Sequence, residues 1–129
     1  MSVINRISTL HEVSEVAAAS GEFGFALKDF LDGFYACPNP GDLADEPIPL
    51  ANAVPDGLRL DAYLAAVAEH LCRENRWPVP DWTRHPTRVL ETPWFGMQSH
   101  GGRMILLEES PAAFRVRNIF VSGNALSRV

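Results

Sequence analysis

The stretch "LRLDAYLAAVAEHLCREN", residues 58–75, constrains the fold more than any other. Leu60, Leu64, Val67, Ala68 and Leu71 recur at i, i+4, i+7, i+8 and i+11, the spacing of one helix face. A strand alternates with period two and does not produce that set. Ala62, Ala65 and Ala66 keep the intervening positions small, which lets a neighbouring element come close. Arg73 and Arg76 suit the negative end of the helix macrodipole, and Pro78 and Pro80 stop the helix. A helix with so apolar a face needs a surface to cover.

Two further helical patterns precede it. In "EFGFALKDFLDGFYA", Phe23, Leu27, Phe30, Leu31 and Phe34 form a wide apolar stripe, with Lys28, Asp29 and Asp32 off it. Gly24 and Gly33 each weaken this helix by up to about 1 kcal/mol against alanine. Burying one phenylalanine returns roughly 1.5–3 kcal/mol, so the stripe wins and reads as core rather than as a cofactor pocket. In "TLHEVSEVAAAS", Thr9 and Glu12 have the spacing of a capping box. Leu10, Val13, Val16 and Ala17 share one side, and Ser20-Gly21 offers a left-handed stop.

Proline divides the rest. Residues 37–57 hold five prolines and two glycines and read as an extended loop over the surface. Residues 77–102 hold four prolines and three tryptophans and predict short turns anchored by the indoles. "GRMILLEE" predicts a short buried helix. Ser110-Pro111 predicts an N-cap and a first helical residue, followed by a helix over "PAAFRVRN". On that helix Ala112, Ala113 and Val116 are expected to face inward with Phe114, and Arg115 and Arg117 cannot both do so. "IFV" reads as a brief extended piece and "SGNALSRV" as a turn and a last helical twist. The expected fold is all-α: one domain over residues 1–129, of about five helices, with long Pro-rich irregular connections.

The same residues bear on chemistry. Apolar content of 47% and charged content of 21% fit a folded core. No apolar run approaches the roughly 20 residues that span a bilayer, and "MSVINRISTLHEVSE" lacks the apolar core of a secretory signal, so a cytoplasmic location is expected. Cys37 and Cys72 are expected to remain free thiols. His11, His70, His85 and His100 show no metal-binding spacing, since His70 and Cys72, two apart, diverge on their helix. "SHGGR" (99–103) offers amides near Arg103 to an anion, against the ordinary use of Gly-Gly as a tight turn. Glu108-Glu109 and Asp45-Glu46 are chain neighbours and do not converge as acid–base pairs. No catalytic residue, cofactor or metal is expected.

Charge is uneven. Residues 1–69 carry 11 acids and 3 bases, and residues 70–129 carry 5 acids and 8 bases. The net charge of −5 argues against direct nucleic-acid binding, where neutralising phosphates supplies the affinity. Arg115 and Arg117 are the candidate contacts with a protein partner, because guanidinium favours planar, bidentate contacts. The competing expectation pairs them internally with Glu108, Glu109 or the acidic first half. Trp94 and Phe95 complete the candidate partner-binding set.

"KDFLDGFY" (28–35), "LDAYLAAVAEHL" (60–71), "PVPDW" (78–82), "PWF" (93–95) and "LLEESPAAFRVRNIFVSGNALSRV" (106–129) resemble, in that order, a poorly characterised bacterial family. That family comprises small helical proteins, and it also forms the C-terminal part of some helix-turn-helix regulators. It occurs near toxin–antitoxin-like loci, sometimes beside a nucleotidyltransferase-like gene. The resemblance covers about residues 27–129, and the stretch before it is too short for a complete helix-turn-helix domain. It implies a non-enzymatic interaction protein, antitoxin-like or accessory to a regulator. Its protein partner would be encoded by a neighbouring gene, or it would pair with a second copy as a homodimer. Two alternatives stand beside this. One is a small-ligand-binding protein or enzyme, with a pocket between the apolar helices and the Trp-rich segment lined by His100, Arg103 and an acid. The other is a transcriptional accessory that touches DNA through the basic second half.

Overall fold

The computed structural model of the chain describes residues 7–126. Five helices and a minimal sheet follow in the order α1 (Leu10–Ser20), α2 (Phe23–Ala36), α3 (Gly57–Glu74), β1 (Trp94–Phe95), α4 (His100–Glu109), α5 (Ala112–Arg115) and β2 (Ile119–Phe120). Three short 3-10 turns lie between them, at Pro40–Leu43, Asp81–Arg84 and Pro86–Arg88. The protein is all-α in class, and its prolines fall in the connections as expected. The last twist expected over "SGNALSRV" lies partly outside the described residues; residues 123–126 form a turn.

The first two helices start and stop as their residues dictate. Thr9 accepts the Glu12 N–H at 3.1 Å. Glu12 reaches back to the Ser8 N–H at 3.1 Å and the Ser8 hydroxyl at 2.8 Å, one residue beyond the usual box. Hydrogen bonding from Ser8 outweighs partial desolvation and holds the Glu12 carboxyl below its ordinary range. Gly21 ends α1 at φ 77, donating to the Ala17 carbonyl at 2.8 Å. In α2 the predicted stripe is buried at Leu27, Phe30, Leu31 and Phe34, and Phe23 is half-buried. Trp77 meets Phe34 edge-on at 6.0 Å and so anchors the second half of the chain to α2.

Helix α3 is the centre. Leu64, Ala65, Ala66, Val67, Ala68 and Leu71 are all fully buried, so elements close around it on most sides. It also carries two carboxylates inside, Asp61 and Glu69, and each receives an irregular segment. Asp61 accepts the Leu50 N–H at 2.7 Å. Arg88, only 2% exposed, donates to the carbonyls of Asp61 and Pro47 at 3.0 Å each and to Glu46 Oε2 at 3.3 Å. Its guanidinium also lies 4.8 Å over the Trp82 ring. These bonds draw residues 44–54 onto the body, together with Ser14 Oγ accepting the Ile48 N–H at 2.8 Å. The expectation of a loop over the surface is therefore corrected: Leu43 and Leu50 are fully buried, and the loop is part of the core wall.

The closing stretch also departs from expectation. Helix α5 is a single turn that buries Ala113 and Phe114 while Ala112 faces out; in the turn after it Val116 is exposed and Arg117 is buried. Three sets of bonds decide the matter for Arg117: Nη1 donates to Glu69 Oε1 at 2.7 Å and to the Ala113 carbonyl at 2.8 Å, and Nη2 donates to the Thr83 carbonyl at 2.8 Å. A buried charge with that many partners is retained where an unpaired one would be expelled. Ser110 does not cap α5. It is buried, its hydroxyl lies 2.6 Å from the Leu106 carbonyl and it accepts the Val121 N–H at 2.8 Å. The "IFV" piece finds a partner the sequence did not name: β2 pairs in parallel with β1, Trp94 opposite Ile119 and Phe95 opposite Phe120. Asn118, at φ 62, turns the chain into that ladder and donates its side-chain amide to the Leu90 carbonyl at 2.6 Å.

The Glu69 carboxyl is pushed up by partial burial, but hydrogen bonds from Arg117 and Arg73 outweigh this and hold it below the ordinary range. Its contribution to stability is present above the unfolded glutamate value and is lost as pH falls through the lower folded value. Asp61 acts in the opposite sense, because desolvation raises it; its contribution is lost as pH rises through the folded value. The melting-temperature difference between wild type and Glu69→Gln is expected to shrink as pH drops from about 5 to about 3. A difference that stays constant over that window would remove Glu69 from the acid response.

Candidate interaction surface

Helix α4 is where the surface departs most from an ordinary polar exterior. Ser99 starts it, accepting the Gly102 N–H at 3.0 Å while its carbonyl takes the Arg103 N–H at 2.9 Å. Gly102 is required there, since a Cβ would lie 2.8 Å from Ser99 Oγ and 2.9 Å from Met97 Cβ. The Gly-Gly pair is thus the first turn of a helix rather than a tight turn. Residues 104–107 are all apolar, yet successive helical side chains point about 100° apart. Four in a row fan around most of the circumference, and one direction alone leads to the core. Leu106 takes it, with Gly102 a turn before. Met104 (51% exposed), Ile105 (53%) and Leu107 remain outside. The expected short buried helix is therefore an exposed one.

Other exposed apolar side chains lie outside the helix. Met97 adjoins its first turn, and Val116, 65% exposed, follows α5. The two internal methionines both lie here, and flexible thioethers adapt to varied partners. Phe95 is half-buried, stacked on Phe120 with ring centroids 4.8 Å apart and covered by the Arg103 guanidinium at 5.3 Å. Trp94, also half-buried, packs against the core and lies under the Arg59 guanidinium at 4.5 Å. Arg115 is exposed and donates to the Ser110 carbonyl at 2.9 Å, just past the end of α4.

Of the four residues expected to meet a partner, the structure brings Trp94, Phe95 and Arg115 to the surface or its margin. Arg117 is corrected: at 4% exposure it bonds inside the protein and offers nothing to a partner. The internal pairing came from the acidic first half, through Glu69, and not from Glu108 or Glu109. Met97, Met104, Ile105, Leu107 and Val116 were missed. The signal was present in the run "MILL", which no single helix face can bury.

The remaining polar side chains are dispersed. His11 bonds the Glu46 carbonyl at 2.9 Å, His85 accepts the Thr87 N–H at 3.2 Å, and His70 lies 3.4 Å from Glu74. Among the described residues no group of three His, Cys, Asp or Glu side chains is placed to hold a metal ion. Cys37 is exposed and Cys72 is buried, and neither forms a disulfide. Burial, with Glu69 nearby, raises the Cys72 thiol above its ordinary range and disfavours the nucleophilic thiolate. His100 and Arg103 face outward from α4, so they do not line the pocket expected of a ligand-binding alternative. Two open cavities, of about 590 and 640 Å³, have no histidine or arginine on their walls.

Compared with protein-family models, with curated proteins and with solved structures, the chain matches none.

Proposed function

We propose that this chain is a non-enzymatic protein-interaction module, antitoxin-like or accessory to a regulator, whose partner seats on the outer face of α4. The observation that carries this is the set of half-exposed apolar side chains at Met97, Met104, Ile105, Leu107 and Val116. Exposed apolar side chains gathered on one helix, as Met104, Ile105 and Leu107 are on α4, suit an interaction site on a soluble protein. Trp94 and Phe95 give the contact a rigid aromatic margin, and Arg115 gives it a charge at the rim. The family resemblance of residues 27–129 supports a protein partner encoded by a neighbouring gene. A second copy of the chain is the other partner this face accommodates. Among the described residues no helix is long and apolar enough to cross a membrane. A cytoplasmic location goes with this reading, and the net charge of −5 keeps direct nucleic-acid contact out of it.

The double substitution Met104→Glu, Leu107→Glu tests it. Both side chains point away from the core, so the folded chain is expected to lose no more than about 0.5 kcal/mol per site. Co-purification with the product of the adjacent gene, or self-association in sedimentation, is expected to be lost. A double variant that retains every association of the wild type rules out this face.

A further inference from the structure

A second surface has a different chemistry from α4. The cavity of about 640 Å³ is an open groove between the Pro40–Leu43 turn, the end of α3 and the segment Pro78–Trp82. Its volume falls in the range of ordinary ligand pockets. Pro40, Pro78 and Pro80 line it and bring no N–H donors. Trp82 lines it as well, and its ring is fixed in place by an indole N–H bond to the Leu43 carbonyl at 3.1 Å. The charged residues on the wall are Glu46 and Asp81, both acidic.

The buried Arg88 divides its donors between Glu46, at 3.3 Å, and the backbone carbonyls of Asp61 and Pro47, at 3.0 Å each. The Glu46 side chain stays half exposed at the groove, with acceptor capacity left over. Asp81 is fully exposed, and its pair with Arg84 at 2.9 Å is a surface pair of the kind that contributes little and exchanges readily. Arg88 covers the Trp82 ring at 4.8 Å but does not line the groove, so the groove offers the part of the ring that Arg88 leaves open, with apolar proline faces and acceptor oxygens. That combination complements an aliphatic stem ending in a cation.

We infer that this groove binds a cationic side chain, arginine or lysine, presented on an extended segment of a protein partner. The rigid proline walls need little ordering on binding, which favours a short linear segment. The site uses none of the α4 residues and stands whether or not α4 has a partner.

The test uses the full chain, a capped Ala-Arg-Ala-Arg-Ala peptide, and the same peptide with citrulline at both arginines. The arginine peptide is expected to shift the Trp82 indole N–H resonance and to bind at least about tenfold more tightly than the citrulline peptide. Asp81→Asn, at a fully exposed position, is expected to melt like wild type and to weaken the arginine peptide several-fold. Glu46→Gln is expected to weaken it further, with binding compared at matched folded fraction. Raising salt is expected to weaken it too. Equal binding of the two peptides, an unmoved Trp82 resonance at millimolar peptide, or unchanged affinity in both variants would overturn the inference.

Discussion

Glu69→Ala is expected to destabilise the protein by about 3–5 kcal/mol, because it strands the Arg117 guanidinium in the interior. Arg117 is 4% exposed and Glu69 Oε1 lies 2.7 Å away. Removing the carboxylate leaves two backbone carbonyls, of Ala113 and Thr83, to offset a full charge. The geometry makes a further prediction that a surface pair would not. Replacing both partners, Glu69→Leu with Arg117→Met, is expected to cost much less than Glu69→Ala alone, since an apolar pair leaves no orphaned charge. A double-mutant cycle in urea reads the coupling directly. A loss below about 1 kcal/mol for Glu69→Ala would mean that the pair behaves like an exposed one. The consequence reaches function, because only Asn118 separates Arg117 from the strand whose Phe120 stacks on Phe95.

Gly57→Ala is expected to cost about 3 kcal/mol or more, at the upper end of overpacking effects. A Cβ at residue 57 would sit 1.8 Å from the Leu50 carbonyl oxygen and 2.7 Å from Ala51 Cα. Both obstacles are backbone, so no rotamer change relieves the clash. The segment around Leu50 would have to lift from α3, breaking the 2.7 Å bond from the Leu50 N–H to Asp61 and exposing a fully buried leucine. Gly24→Ala provides the contrast. Its Cβ would meet nothing within 4 Å, and it sits in α2, so the same substitution is expected to stabilise by roughly 0.4–1 kcal/mol. Thermal melts of the two variants should move in opposite directions. A Gly57→Ala protein that melts with wild type would show that the loop is not seated on α3.

The helices were legible in the sequence because their stripes have a single geometric solution. Phe30, Leu31 and Phe34, or Leu64, Val67 and Leu71, share a face in a helix and in no other regular structure. The capping residue Thr9 and the stop at Gly21 were legible for the same local reason, whereas the Ser99 cap of α4 lay hidden in a stretch that reads as a Gly-Gly turn. What sequence could not reveal was which long-range partner an irregular residue finds. Leu50 reads as one apolar residue in a proline-rich loop until Asp61 accepts its amide. Arg117 reads as surface until Glu69, 48 residues earlier, is placed beside it. The two-residue parallel ladder carries too short a pattern to announce itself.

The candidate surface was half legible. Trp94, Phe95 and Arg115 are identifiable as contact types, but the composition of "MILL" suggests core, and only the 100° step between helical side chains shows that one of the four can reach it. Arg117 illustrates the converse: arginine near the end of the chain suggests a rim contact, yet the turn after α5, closed by the Arg117 N–H to the Phe114 carbonyl at 3.0 Å, carries it inward to Glu69.

The central functional claim is that protein seats on the outer face of α4, and site-specific photo-crosslinking in the native cell tests it most directly. A benzophenone side chain placed at position 104 or 107 is expected to give discrete covalent adducts. The same group at Lys28, on the exposed side of α2, is expected to give none. Adducts that appear equally at all three positions, or at position 28 alone, would contradict the account.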